Sequence, residues 1–252
     1  MSDKKTITDN VTIAGGLNPS ALRRNAGWLA AAIIVVVLLV DQVVKIYVKT
    51  HFYLGEEVPV TSWFQIKFIE NNGMAFGLEL WNKLLLTFGR IVAVGLFIWF
   101  LVLIKSKYNV RTGFIVTVAL ITAGAAGNIF DCVFYGVAFN NPMPPEVAVV
   151  FPEGGGYSTW FEGRVVDMLY FPFFDFYWPE WMPIVGGKYY EFFAYIFNVA
   201  DASICVGVAL LIFFYSRDFS LAFAEIGSKS GHQPGEKKVD VSKHKTENKG
   251  VK

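Results

Sequence analysis

The sequence predicts an all-α polytopic membrane protein with four transmembrane helices, a small extracytoplasmic β-rich segment and a long aromatic-rich outer loop. Hydrophobic residues make up 54% of the 252 residues, aromatic residues make up 17%, and the mean hydropathy is +0.43. An ordinary soluble domain contains only about 45–50% apolar residues. Four apolar segments are also long enough to cross a bilayer as helices, which takes about 20 residues. They are residues 28–48, 83–104, 112–137 and 190–215.

Composition excludes several other classes of function. The net charge is only +1 and no basic stripe alternates with aromatic residues, so nucleic acid is not an expected partner. Cys132 and Cys205 lie in apolar segments without CxxC spacing, and the three histidines form no HExxH motif. We therefore expect neither a metal site nor a cofactor.

The chain begins with a polar segment, residues 1–27, which we expect to be a cytoplasmic tail with little fixed structure. The first apolar segment follows, and a cleaved signal peptide is the alternative interpretation of it. A signal peptide has a shorter apolar core with a small-residue cleavage site close behind it. Asp41, Gln42 and Lys45 stand there instead, which favours an uncleaved first transmembrane helix.

Residues 50–81 are too polar to span the membrane. Apolar and polar residues alternate over residues 58–69, and this period of two predicts β-strands. The segment ends in residues 70–77, where Gly73 and Gly77 suit a tight turn or a close backbone approach. An ordinary hairpin loop is the interpretation that composition alone favours.

The second and third spans are separated by a short basic loop, residues 105–111. Arg90 lies near the start of the second span, where we expect its side chain to reach the interface; a role as counter-charge to a carboxylate stays open. The third span contains a run of alanine and glycine at residues 123–127, which predicts close contact with another helix.

A long outer loop, residues 138–189, follows and is rich in proline, glycine and aromatic residues. Its tryptophans and tyrosines suit the headgroup region of a bilayer. Asp167 interrupts a short apolar stretch within this loop. After the fourth span, residues 216–252 are rich in lysine, glutamate, serine and glycine, which predicts a disordered cytoplasmic tail.

The positions of basic residues predict the orientation. Lysine and arginine cluster in both terminal segments and in the loop 105–111, whereas residues 138–189 contain only Arg164 and Lys188. Cytoplasmic loops carry the excess of lysine and arginine in membrane proteins. Both termini are therefore predicted to be cytoplasmic.

Two of the apolar segments contain an asparagine followed three residues later by an aspartate. These pairs are Asn128 with Asp131 and Asn198 with Asp201. Ionisable residues within membrane helices are costly and mark functional sites by default. Residues three apart share a helix face, so each pair is expected to point at one common partner.

The acids of the membrane region are predicted to converge near the outer face. In the predicted topology Asp41 and Asp131 lie late in outward helices, Asp201 lies about 11 residues into an inward helix, and Asp167 lies on the outer loop. Two neighbouring carboxylates do not both ionise readily, so such a pair offers an acid and a base together. That arrangement suits amide hydrolysis by two aspartates, and no GxSxG motif points to a serine nucleophile.

Other roles for the same acids stay open. A proton-coupled transporter or ion pathway would use them as a relay, and a structural scaffold would use them to bond helices together. Asp41 and Lys45 lie one helical turn apart and are predicted to form a structural ion pair. For Asp131 the structural and functional interpretations are equally open, whereas Asp167 and Asp201 are predicted to be catalytic.

Five motifs occur in series along the chain. They are Asp41-Gln42 with Lys45, Asn71-x-Gly73-x-Ala75-Phe76, Gly127-Asn128-x-x-Asp131, Val165-Val166-Asp167 and Phe197-Asn198-x-Ala200-Asp201. In order and in placement on the predicted spans, the chain resembles the bacterial lipoprotein signal peptidase family, also called signal peptidase II. The resemblance covers most of residues 28–215.

The resemblance implies a four-helix aspartic endopeptidase of the bacterial cytoplasmic membrane. Such an enzyme removes the signal peptide from prolipoproteins once a diacylglyceryl group is attached to the cysteine after the cleavage point. The resemblance further implies that Asp167 and Asp201 are the catalytic pair. The residues that it implies as support around substrate and catalytic pair are Asn71, Gly73, Asn128, Asp131 and Asn198. It also implies contact with membrane lipids, inhibition by the cyclic peptide globomycin and, as we expect, a monomer.

The chain departs from the family pattern at two points. Cys132 stands where the family usually has an arginine after the aspartate, and Arg90 and Arg164 are candidates to replace that cation. The segment between Cys132 and Asp167 is also longer than expected for the family. It is interpreted either as a flexible lid over a lipid-facing site or as an inert insertion.

Overall fold

The computed structural model describes residues 19–72, 83–107 and 110–230, and within them four helices are long and apolar enough to span a membrane. The α-helices are α1 Pro19–His51, α2 Lys83–Lys107, α3 Thr112–Ala138, α4 Val199–Leu210 and α5 Ser216–Ser230. A π-helical turn, Leu211–Tyr215, joins α4 to α5, so that the fourth span runs from Val199 to Ala224. The predicted four-helix membrane fold is confirmed.

Helix α3 lies at the centre of the bundle and packs against α1, α2 and α4. The close packing depends on glycine. A Cβ atom on Gly124 would lie 2.2 Å from the carbonyl oxygen of Ala200, and one on Gly127 would lie 2.7 Å from Asp41 Oδ2. The alanine–glycine run therefore lets the start of α4 and the acid of α1 approach the α3 backbone, in agreement with the predicted close helix contact.

Two small antiparallel sheets lie at one end of the bundle, which we call the sheet end. The first has the strand order β1-β2-β3-β6, and the second is a hairpin of β4 and β5. The strands are β1 Glu57–Pro59, β2 Gln65–Asn71, β3 Val165–Tyr170, β4 Phe174–Tyr177, β5 Tyr189–Phe192 and β6 Ile196–Phe197. The alternation at residues 58–69 thus corresponds to strands, as predicted, whereas β3 to β6 were not predicted.

The predicted start of the fourth span at residue 190 is wrong, because α4 begins at Val199. Residues 190–198 instead complete β5, form β6 and provide the N-cap, Asn198. A short apolar run fits a strand as well as a helix by periodicity, and the aromatic residues here favour a strand. Asn198 and Asp201 therefore do not share a helix face, and Asp201 is the third residue of its helix instead of lying about 11 residues into it.

The predicted boundaries of both terminal tails are also wrong. Helix α1 begins at Pro19 and α5 continues to Ser230. Ala26 and Ala222 are buried in one apolar cluster, and Asp218 accepts a hydrogen bond from Arg111 Nη2 at 2.6 Å. These contacts explain why the helices extend past the apolar runs. Residues 1–18 and 231–252 lie outside the described part of the chain.

The first part of the long outer loop packs along the end of α3. Backbone amides of Tyr157, Ser158 and Gly163 donate to carbonyl oxygens of α3 and its C-cap at 2.8–2.9 Å. The bond to Gly136 thereby satisfies a carbonyl group that the helix end leaves unpaired. This packing favours a fixed insertion over a flexible lid.

Candidate active site

Asp167 and Asp201 are joined through two asparagine side chains. Asn198 Nδ2 donates to Asp167 Oδ1 at 2.6 Å, and Asn128 Nδ2 donates to Asp201 Oδ1 at 2.6 Å. Asn198 Nδ2 also lies 3.1 Å from Asn128 Oδ1, which closes the link. Strand β3 carries Asp167, α4 carries Asp201, and the pairing of β3 with β6 brings the two elements together. The acid from the outer loop and the acid from the last helix therefore meet at one site.

Asp201 is held at the first turn of α4 by a capping box. The backbone amide of Asp201 donates to Asn198 Oδ1 at 2.9 Å, and the backbone amide of Asn198 donates to Asp201 Oδ2 at 3.4 Å. The amide of Ala200 donates to Asp41 Oδ1 at 2.8 Å. Acidic groups suit this position because the positive end of the helix dipole lies there. The sequence signal for this helix start is the Asn198-x-x-Asp201 spacing ahead of an apolar run.

Asp167 occupies a different environment, since its side chain is only 3% exposed while Asp201 is partly exposed. Burial, followed by repulsion from Asp201, raises the pKa of Asp167 from 3.8 to about 7. Hydrogen bonds from Asn198 and Asn71 act in the opposite direction. Near neutral pH the buried acid therefore keeps a proton for much of the time.

Lys45 is the centre of a buried ionic cluster beside these acids. Its Nζ lies 2.9 Å from Asp41 Oδ2 and 2.8 Å from Asp131 Oδ2, and all three side chains are fully buried. The predicted pair of Asp41 and Lys45 is thus present. Lys45 Nζ also donates to Asn128 Oδ1 at 2.9 Å, so the cluster reaches Asp201 through one amide.

Asp131 anchors the strand that carries Asp167. It accepts hydrogen bonds from Gln42 Nε2 at 2.9 Å and from the backbone amide of Val166 at 3.2 Å. These bonds connect α1 and α3 to β3. The contacts favour the structural interpretation of Asp131.

A second buried ionic cluster was missed from the sequence. Lys49, 1% exposed, forms an ion pair with Glu70, whose other oxygen lies 3.0 Å from Arg164 Nη1. Glu70 immediately precedes Asn71, so the cluster fixes the end of β2 that faces Asp167. The available signal was Lys49 itself, a second lysine one helical turn after Lys45 in an apolar segment.

The two candidates for the missing cation have different partners. Arg90 Nη1 lies 3.4 Å from Cys132 Sγ, whereas Arg164 contacts Glu70. Arg90 is therefore the arginine that reaches the position of Cys132.

Gly73 lies outside the described residues. Within the described ranges, no group of three or more histidine, cysteine, aspartate or glutamate side chains is arranged to hold a metal ion.

The fold and the site define a multi-pass membrane protein with a linked pair of carboxyl groups at the sheet end of its helix bundle. A family model described as signal peptidase (SPase) II matches residues 33–217. The chain is 49% identical over 195 residues to a lipoprotein signal peptidase of Porphyromonas gingivalis, covering 77% of this chain and 86% of the relative. It is 34% identical over 191 residues to one of Amoebophilus asiaticus, covering 73% and 76%.

The chain therefore belongs to the signal peptidase II family, and it is a membrane peptidase. The family membership that the five motifs predicted is confirmed. The transporter alternative is not supported. A solved structure described as a bacterial membrane enzyme is also similar, with a TM-score of 0.49 and 23% identity, covering 83% of this chain and 94% of that one.

Proposed function

We propose that the chain is an aspartic endopeptidase that removes the signal peptide from diacylglyceryl-modified prolipoproteins. The observation that carries this proposal is the link from Asp167 through Asn198 and Asn128 to Asp201, described above. Family membership supports prolipoproteins as the substrate class. The differing environments of the two acids support a division of roles between them.

In this proposal Asp201 acts as the base and Asp167 as the acid. Asp201 takes a proton from a water molecule while the water oxygen attacks the carbonyl carbon of the scissile amide. Asp167 gives its proton to the carbonyl oxygen, which produces a neutral tetrahedral intermediate. The C–N bond then breaks as Asp201 gives the proton it took from water to the nitrogen and one hydroxyl of the intermediate returns a proton to Asp167, leaving a new carboxyl group on the signal peptide and an amine on the lipid-modified cysteine.

The neighbouring polar residues have supporting roles. Asn128 and Asn198 orient the two carboxyl groups, and Asn71 adds a hydrogen bond to Asp167. Lys45 holds Asn128 in place. Gly73 is proposed to contact substrate on the strength of the family motif alone.

The distribution of basic residues supports the orientation, and membership of the family supports the partners. The distribution of basic residues supports cytoplasmic termini, so the sheet end and the acids face the outer side of the cytoplasmic membrane. We propose that the enzyme contacts membrane lipids, works as a monomer and is inhibited by globomycin at its substrate site.

Incubation of the purified protein with a diacylated prolipoprotein tests this function. We expect release of the signal peptide, inhibition by globomycin and no cleavage of the same precursor without its lipid. Equal cleavage of the unlipidated precursor would remove the lipid from the proposal, and no cleavage of either precursor would contradict the proposal as a whole.

The pH dependence provides a separate prediction. Asp167 must be protonated to act as the acid, and its pKa is about 7. We expect kcat/KM to fall as pH rises through about 7, because the protonated fraction of Asp167 falls. Measurement from pH 5 to 9 with the lipid-modified substrate checks this, and a rate that rises through pH 7 would assign the acid to another group.

Asn198→Ser is predicted to move this fall in activity to higher pH. Serine still caps a helix but loses the amide that donates to Asp167, and that hydrogen bond lowers the pKa of Asp167. Asn198→Ala should show the same shift and also lose about 1 kcal/mol of stability with the cap. Unchanged pH profiles in both variants would mean that Asn198 serves α4 alone.

A further inference from the structure

The hairpin formed by β4 and β5 carries aromatic residues at almost every position. Cross-strand rings lie against one another, with centroid distances of 4.7 Å for Phe174 with Phe192 and 5.3 Å for Tyr177 with Tyr189. Phe174, Tyr177, Tyr189 and Phe192 are nevertheless all exposed. The hairpin thus presents aromatic side chains outward rather than burying them against the protein.

The turn of the hairpin is the most exposed apolar part of this region. Trp181 is 81% exposed and Ile184 is 89% exposed. Ile184 also has a φ of 73°, in the left-handed region that a β-branched residue rarely adopts. Glycine or asparagine would fit that backbone with less strain. The presence of isoleucine at this position therefore favours a role for its exposed apolar side chain.

An isolated two-stranded hairpin is only marginally stable in water. Exposed apolar patches of this kind mark contact with a membrane or a partner. Three observations favour a bilayer. The hairpin belongs to the segment between two membrane spans, α3 and α4, and the bundle beside it exposes apolar side chains as a lipid-facing surface does. In addition, tyrosine and tryptophan are the residues enriched at membrane interfaces.

We propose that the β4–β5 hairpin docks on the lipid leaflet at the sheet end of the bundle, with Trp181 and Ile184 inserted at the boundary of headgroups and acyl chains. Residues 174–192 contain three acidic residues and one basic residue. Attraction to anionic lipid therefore does not drive the docking, and the apolar contact should form equally on zwitterionic lipid.

Docking of the hairpin would also fix how deep the start of α4, which carries Asp201, lies in the membrane. The Tyr170 hydroxyl of β3 donates to Glu191 in the hairpin. Phe173 at the base of the hairpin lies 6.0 Å from Phe193, and Phe193 lies 6.0 Å from Phe197, as measured between ring centroids. Phe197 adjoins Asn198, so contacts run from the docked surface to the residue that links the two acids. The docking itself does not depend on the proposed catalytic roles.

Fluorescence of a variant that retains Trp181 as its sole tryptophan tests the proposal in the full-length protein. The other six tryptophans are replaced by phenylalanine, and the protein is placed in phosphatidylcholine vesicles with brominated acyl chains. A variant retaining only Trp99, which lies in the α2 span and is 55% exposed, reports full contact with lipid. We expect brominated lipid to quench Trp181 at least half as strongly as Trp99, with no change on adding salt or anionic lipid.

Two results would overturn the proposal. Trp181 quenched by aqueous iodide and not by brominated lipid would place the turn in water. Protection from both quenchers, increasing with protein density in the vesicle, would indicate a second copy of the chain as the partner.

A spin label gives the same information if the multiple tryptophan replacements prevent folding. Ile184→Cys is labelled in a Cys205→Ser background, since Cys205 is exposed and Cys132 is buried. Greater accessibility to oxygen than to a water-soluble nickel complex supports docking. The reverse order contradicts it.

Discussion

Asp167→Asn and Asp201→Asn should each abolish signal-peptide cleavage, with a loss of at least about a thousandfold in kcat/KM. Asparagine matches aspartate in shape but neither delivers the proton to the carbonyl oxygen nor accepts one from water. Cleavage of a diacylated prolipoprotein, followed by the mobility of the product on a gel, measures the loss. Asp175→Asn is the matched control, because Asp175 is an exposed acid of β4, and it should retain full activity.

Stability measurements separate lost chemistry from lost fold in the Asp167 variant. The pKa of Asp167 is raised from 3.8 to about 7 in the folded protein, so the folded state binds this proton more tightly than the unfolded state. The contribution of Asp167 to the free energy of unfolding therefore falls as pH rises from about 4 to about 7. Asparagine removes that loss, and Asp167→Asn should be at least as stable as the wild type at pH 8. Retained cleavage in either variant, with the fold intact, would contradict the assignment of the dyad.

Lys45→Met should destabilise the protein by about 3–5 kcal/mol, because it leaves the fully buried Asp41 and Asp131 without their cation. Thermal unfolding in detergent measures the effect. Lys67→Met is the control, since Lys67 pairs with Glu57 at a site where the side chains are 33% and 40% exposed. Exposed pairs contribute about 1 kcal/mol or less. Equal losses in the two variants would show that removing the cation of the buried Lys45 cluster costs no more stability than removing the cation of an exposed ion pair.

The membrane fold was predictable because apolar length is a strong signal. The first three spans begin and end within a few residues of the predicted positions, and the Gly124 and Gly127 contacts follow from small residues in an apolar helix. The acids were predictable as a group for a related reason, since Asp41, Asp131 and Asp201 stand out in apolar surroundings.

The local geometry of the site was less predictable. The run from Tyr190 to Phe197 is apolar apart from Glu191 and fits a helix or a strand by periodicity; the structure makes it a strand through pairing with β4 and β3. The sequence therefore predicts Asn198 on a helix face, whereas its side chain caps the helix. The Lys49–Glu70–Arg164 cluster joins residues that are far apart in sequence, and no local pattern indicates which acid a buried lysine will meet.

Titration of the Asp167 carboxyl group by infrared spectroscopy determines whether Asp167 and Asp201 behave as one coupled pair. The band of the protonated acid is assigned by its absence in Asp167→Asn, and its midpoint is compared between the wild type and Asp201→Asn. If the two acids form a dyad, the midpoint lies near pH 7 in the wild type and moves to lower pH in Asp201→Asn, because the repulsion from Asp201 is gone. The same midpoint in both proteins would contradict the account, since the two carboxyl groups would then be independent.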